Sequence, residues 1–364
     1  METEKAVRAQ EHTFSGNVYI FHAFDIGDDI SLEAIKEKSS LVQHPMVPSK
    51  YFKNYHIPLS VELPKQYSSP ELSSVRMYNF GAVSLAYKIP FVGTLSQLRK
   101  NIEALDNRFQ DQSIDDVRIV YNQIKPFIKK PTLFHIRSSY VLIQVDTQQE
   151  FSDIVQFKEA YGNIIASTLR FETESLSEVQ VEEILDSAIG YYRGDFIVID
   201  YAAAFAYDSE YAELLDFVEF ANVQQLELRY FDRLLDQQLN AIYEGKVHRL
   251  PAKAYIPFIG TLAHSPVDDL ARLRVDISVI TERLESSIKL VAEPYYSELY
   301  ELLQNKLDLK NWKDGIERKL SIIQDVRSIF QHKVDIARED LLSVLIILLI
   351  FIELIVGMLS YIRH

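Results

Sequence analysis

In the stretch ELLDFVEFANVQQLELRYFDRLLDQQL, the residues Asn222, Gln225, Arg229, Asp232 and Asp236 recur at intervals of three, four, three and four. On an α-helix that spacing lines them up along one face. Apolar Val218, Leu226, Leu228 and Leu235 fall on other faces. A groove lined by these carboxylates and amides could bind a polar ligand or a divalent cation, and an enzyme could use the Arg229, Asp232 and Asp236 face in that way. The same pattern also describes a solvated face on which Arg229 pairs with Asp232 or Asp236 and the charges cancel. Two further sets of ionisable residues stand out. Glu353 sits inside the apolar run LLSVLIILLIFIELIVGML, and Lys125, Lys129, Lys130 and Arg137 punctuate KPFIKKPTLFHIR.

The sequence holds no stronger signature of catalysis. It has no GxxxxGK[ST], no GxGxxG after a strand, no HExxH, no GxSxG and no EF-hand loop. With no cysteine, disulfides, thiolate metal sites, Fe–S clusters and Cys nucleophiles are excluded. The nine histidines are scattered. His22 lies near Asp25 but reads as a core or edge residue of a strand, and His248 and His264 share a loop without clustered ligands, which argues against zinc. No catalytic residue, metal or cofactor is therefore expected. The formal net charge of −14 and sequence pI of about 5.2 imply a surface that repels phosphate, so direct nucleic-acid binding is disfavoured. The basic patch at Lys125, Lys129, Lys130 and Arg137 reads as a solvated loop before a strand, with local contact to RNA or the ribosome as the alternative.

The elements that must position these residues follow from patterning. The first 210 residues read as an α+β domain. NVYIFHAF, YHIPLSVELP, SVRMYNFGAVSLAYKIP and SYVLIQVD have strand content, and Gly81 marks a bulge or a close backbone approach. Helices are expected after Asp29 or Ser31, from Leu95 (opened by Thr94) to Phe109, near Ile114–Tyr121, over Ile154–Thr168 and over Val179–Tyr191. GDFIVIDYAAAFAYD reads as a β-hairpin turning at Tyr201–Ala202, where a tight turn usually prefers Asn or Gly. Residues 211–340 read as a helical, coiled-coil-like region. One long helix should end at Gly245, and a Pro-rich loop should follow. A new helix should open at Ser265–Pro266, with a seam of Leu270, Leu273, Ile277, Ile280, Leu284 and Val291. Pro294 should end or kink it. A last helix near Leu309–Trp312 carries Ile316, Leu320, Ile323, Phe330, Val334, Ala337 and Leu341, and no breaker separates it from the apolar tail.

Residues 341–362, about 22 in number, match the length of a membrane-spanning helix. About 16 of them are Leu, Ile, Val or Phe, contributing on the order of 5–10 kcal/mol to insertion, against about 3 kcal/mol for one acidic residue. Glu353 therefore does not veto insertion. It could be hydrogen-bonded across a helix dimer, line a water-filled pathway, or be merely tolerated. The rival is an apolar helix buried in a soluble oligomer. METEKAVRAQEH has neither an apolar core nor an Arg-rich, acid-poor composition, so no export signal or transit peptide is read there. The expectation is a prokaryotic, most simply bacterial, protein. Its bulk should lie on the cytoplasmic face of the inner (plasma) membrane, held by a single-pass C-terminal anchor.

Several stretches occur together in a recognisable order: FHAFDIGDDISLEAIK, YNFGAVSLAYKIP, GDFIVIDYAAAFAYD, ELLDFVEFANVQQLELRYFDRLLDQQL, RLRVDISVITERLESSIKLV, LKNWKDGIERKLSIIQDV and the tail with its embedded Glu353. Together they resemble the YagE-like family, also called the "required for meiotic nuclear division" family. The resemblance covers most of the chain and is most specific at Leu226–Leu235 and the tail. It departs at Tyr201–Ala202, where an aromatic followed by Asn would be expected. It implies an N-terminal α+β region, a helical C-terminal region and a terminal membrane helix. Eukaryotic relatives of that family are mitochondrial inner-membrane proteins that support translation of mitochondrial messages. The family has no agreed catalytic residues, so none is carried over. The expectation is a membrane-bound, self-associating scaffold that binds an unidentified protein partner.

Overall fold

The computed structural model describes residues 12–39, 41–44, 52–53, 57–63, 68–133, 137–148, 151, 153–192, 194–243, 273–275, 277–282, 289–290 and 294–362. In chain order they form β1 (Phe14–Asp25), β2 (Asp29–Ile30), α1 (Leu32–Lys38), β3 (Val42–His44), β4 (Phe52–Lys53), β5 (Leu59–Glu62), β6 (Leu72–Met77) and β7 (Ala82–Gly93). Then follow α2 (Leu95–Ile124), β8 (Ile128–Lys129), β9 (Arg137–Val145), α3 (Ile154–Leu169), α4 (Glu178–Leu185), β10 (Phe196–Ile199) and β11 (Ala203–Tyr207). The last elements are α5 (Ala212–Tyr243), β12 (Lys289–Leu290), α6 (Pro294–Lys306) and α7 (Leu309–Ile362). The class is α+β, as the patterning implies. The chain forms two compact units, Met1–Arg229 with Arg283–Asn311, and Tyr230–Glu282 with Trp312–His364. The first part of α5 and all of α6 belong to the same unit as the sheet.

In the first unit an eight-stranded sheet runs in the order β10-β11-β9-β1-β7-β6-β5-β3. Neighbouring strands are antiparallel except β11 and β9, which the α3–α4 crossover makes parallel. Alternation splits the strands into two faces. Val18, Ile20 and Phe24 of β1, Leu85 and Tyr87 of β7, and Val141 and Ile143 of β9 point into the main core with Phe109, Val120, Phe157 and Ile165. On the opposite face, Ala23 stands across from Ser84 and Ser138, Ser84 across from Arg76, and Arg76 across from Ser60. That lane of small and polar residues receives the first part of α5. Further along, Tyr19 and Tyr211 join hydroxyls at 3.0 Å, and Phe220 packs on Tyr78 with ring centroids 6.2 Å apart.

Several local readings hold and others need correction. The hairpin forms as expected: Ile199 pairs with Ala204, and the Asp200 N–H donates to the Ala203 carbonyl at 2.9 Å. Neither Tyr201 nor Ala202 has positive φ, so the turn has no need of Asn or Gly, and the Arg170 guanidinium lies 4.6 Å above the Tyr201 ring. Gly81, at φ +108°, is the close approach: a Cβ there would lie 1.8 Å from the Gly27 carbonyl oxygen. The two helices expected at Leu95–Phe109 and Ile114–Tyr121 are one, α2. Thr94 and Gln97 form its capping box, and the residues between contain no Gly or Pro. The helix expected to reach Tyr191 ends at Leu185. Pro294 opens α6 instead of ending a helix, because the first position has no N–H to lose. Within the expected seam, Leu273, Ile277 and Ile280 are helical and Ile277 is buried, while Leu270, Leu284, Val291 and the Pro-rich loop lie outside the described residues.

In the second unit, α7 continues unbroken into the tail. Phe231 and Leu235 of α5 are buried, as are Ile316, Leu320 and Ile323 of α7, so the first part of the α7 seam is an apolar contact.

Candidate functional site: the polar face of α5

The polar stripe on α5 is buried at its start and open to solvent towards Asp236. Asn222 is buried and donates from Nδ2 to the Ser138 carbonyl at 3.2 Å. Gln225 accepts from the Ser138 hydroxyl at 2.8 Å and donates to the Leu307 carbonyl at 3.1 Å. Lys319 of α7 donates to Asp232 at 2.6 Å and to Asp236 at 2.7 Å. Those hydrogen bonds and charges raise the Lys319 pKa despite its partial desolvation. Among the described residues Lys319, and not Arg229, is therefore the ion-pair partner of both carboxylates, and Arg229 is half-exposed. Asn222, Gln225, Asp232 and Asp236 thus each meet a backbone or side-chain partner from another element, although the Asn222 side-chain oxygen has none among the described residues.

Sequence reasoning missed the acids on the flanks of this stripe. Glu219 is buried and pairs with Arg76 at 2.8 Å, and Asp216 pairs with the same guanidinium at 2.7 Å. Burial pushes the Glu219 carboxyl up, and Arg76 pulls against that rise. Glu227 of α5 and Asp25 of β1 form a second acidic pair. Burial raises both, the Asp25 charge raises Glu227 further, and Asp25 is pushed up to about 7 although the Gly27 N–H donates to it at 3.0 Å. One Glu227 oxygen has no hydrogen-bond partner among the described residues. The signal was present: Glu219 and Glu227 lie among Phe217, Val218, Phe220, Ala221, Leu226 and Leu228, where a solvated acid has no place.

The other expected sites are placed as follows. The basic patch is largely neutralised. Lys129 lies 3.7 Å from Asp29, Lys130 lies 2.7 Å from Asp28, and Lys125 stands 5.7 Å from the Tyr121 ring centre. Arg137 turns onto α2, donating to the Gln110 carbonyl at 2.9 Å and its side chain at 2.6 Å. His22 is a core residue, yet neither ring nitrogen has a partner among the described residues. Burial, aided by the Arg137 charge, lowers its pKa to about 3 and keeps it neutral. His248 and His264 lie outside the described residues. Among the described residues no group of three His, Asp or Glu could hold a metal ion. Glu353 is exposed on α7 within a segment, residues 341–362, whose apolar side chains are all open to the surroundings. That helix is long and apolar enough to cross a membrane by length and composition.

The uncharacterized protein MJ0711 of Methanocaldococcus jannaschii is 24% identical over 241 residues, which are 66% of this chain and 71% of that protein. No solved structure matches the chain. The family model described as "Uncharacterized protein MJ0711, N-terminal domain" matches residues 15–213, a span that runs from β1 through β11 and ends as α5 begins. Covering more than half of the chain, the match makes this protein a member of the family defined by the MJ0711 N-terminal domain.

Proposed function

We propose that the protein is a membrane-anchored, self-associating scaffold whose α+β unit binds a partner on the cytoplasmic face of the inner (plasma) membrane. The observation that carries this reading is α7. Its last turns expose Leu345 to Phe351 and Leu354 to Leu359 in almost unbroken apolar sequence, which water would penalise and hydrocarbon would accept. With its backbone groups bonded inside the helix up to the last turn, the segment meets the main demand of a lipid environment. A second copy would give Glu353 a hydrogen-bonding partner in the bilayer. The resemblance to the YagE-like family adds a link to translation. The alternative, a carboxylate- or metal-dependent enzyme acting through Arg229, Asp232 and Asp236, is the weaker reading, because Lys319 already occupies both carboxylates.

The test is membrane fractionation with carbonate washing, comparing the full chain with a truncation ending at Asp340. The expected result is a full chain that resists the wash and a truncation that does not. If both are soluble, and the full chain is the larger oligomer in sizing, the tail is an oligomer core and the anchor is refuted.

A further inference from the structure

The open end of the β10–β11 hairpin and the first turn of α6 enclose a cleft of about 490 Å³, within the size range of small-ligand sites. Four tyrosines line it: Tyr191, Tyr192, Tyr295 and Tyr296. They stand edge to face in a chain, with centroids 4.8 Å apart for Tyr191 and Tyr192, 5.0 Å for Tyr191 and Tyr295, and 5.2 Å for Tyr295 and Tyr296. Asp195, Asp208 and Glu210 complete the wall. Among the described lining residues there is no lysine, arginine or histidine, and no ion pair joins these three carboxylates to a described residue. Asp195 takes the Tyr192 N–H at 2.9 Å, and Asp208 takes the Glu210 N–H at 2.7 Å. Asp208 is pushed up chiefly by burial, and its acidic neighbours Asp195 and Glu210 add to the rise. Tyr191 and Tyr192 remain 54% and 66% exposed, so a ligand can reach them.

Electron-rich ring faces beside carboxylates attract one class of ligand. We propose that this cleft is a binding site for an organic cation, an alkylammonium or guanidinium group. An anion would meet three carboxylates and, among the described lining residues, no counter-charge. A bare metal ion would find carboxylates spread around aromatic rings and no clustered ligand set among the described residues. The cation can belong to a free polyamine or to a basic side chain of another protein, and the two share the same contacts.

The test is calorimetric titration of the full-length protein in detergent with spermidine and, separately, with the blocked peptide Gly-Arg-Gly at constant ionic strength. Saturable binding of spermidine alone assigns a free polyamine, and binding of the peptide alone assigns a protein-borne side chain. Tyr191→Leu and Glu210→Gln, both at exposed positions, should each weaken binding by about fivefold or more, while Tyr191→Phe, which keeps the ring, should not. Binding that is unchanged in both weakening variants, or no binding of either probe, overturns the proposal.

Discussion

Replacing Asp25 by Asn tests whether the Asp25–Glu227 carboxyl pair is held neutral. Asp25 is 4% exposed, and burial moves its pKa from 3.8 to about 7. Between those two values the folded protein keeps a proton that the unfolded chain has released. The contribution to stability is therefore undiminished below pH 3.8, falls as pH rises to 7, and is level above. About three pKa units at about 1.4 kcal/mol each put the loss on the order of 4 kcal/mol, most of it between pH 5 and 7. That is a large share of the roughly 5–15 kcal/mol by which domains are stable. Glu227 is raised too and acts in the same direction. His22 acts oppositely: lowered from 6.5 to about 3, it favours the folded state above pH 6.5 and loses that effect as pH falls. The wild-type profile thus mixes opposing slopes, and only the difference between proteins is diagnostic. Asp25→Asn keeps an oxygen for the Gly27 N–H and carries no charge. In urea unfolding followed by circular dichroism, its advantage over the wild type should grow by about 3 kcal/mol from pH 5 to 8. A difference that stays constant within about 1 kcal/mol, or a variant that loses ground at pH 8, would refute the buried neutral pair.

Gly81→Ala should lower stability by about 3 kcal/mol or more, because it adds a positive-φ Cβ to a contact already closed by the Gly27 carbonyl; a shift in the thermal melt measures it. Lys319→Met should release α7 from Asp232, which is 18% exposed at its side chain, and Asp236, which is 53% exposed. The partial exposure limits the loss to about 1 kcal/mol. Faster amide exchange in the first turns of α7 is the readout, with Asp232→Asn more harmful than Asp236→Asn.

The sheet was legible because strands such as Phe14–Asp25 alternate in burial over part of their length and are bounded by Gly, Pro and Asp. The long helices α5 and α7 were legible because no breaker interrupts them. Element ends were harder: the Gln110–Ser113 stretch looks polar enough for a loop, yet Ser113 is buried and its hydroxyl folds back on the Gln110 carbonyl inside α2. The stripe on α5 was found by its period, but its role was not. Periodicity reports which residues share a face and says nothing of what that face meets. The partners Ser138, Leu307 and Lys319 come from distant sequence, and Arg76 reaches Glu219 only through the register of β6 on β7.

The unbroken course of α7 ties direction at one end to direction at the other. Lys319, which faces Asp232 and Asp236, and Glu353 are 34 residues apart on one helix. At about 100° per residue they differ in azimuth by roughly 160°, so they look to nearly opposite sides of the same rod. A neighbour that grips Glu353 thus approaches from the side away from α5. Any twist imposed on the apolar end must also turn Lys319 relative to its two carboxylates, which makes that ion pair a torsional stop for the tail.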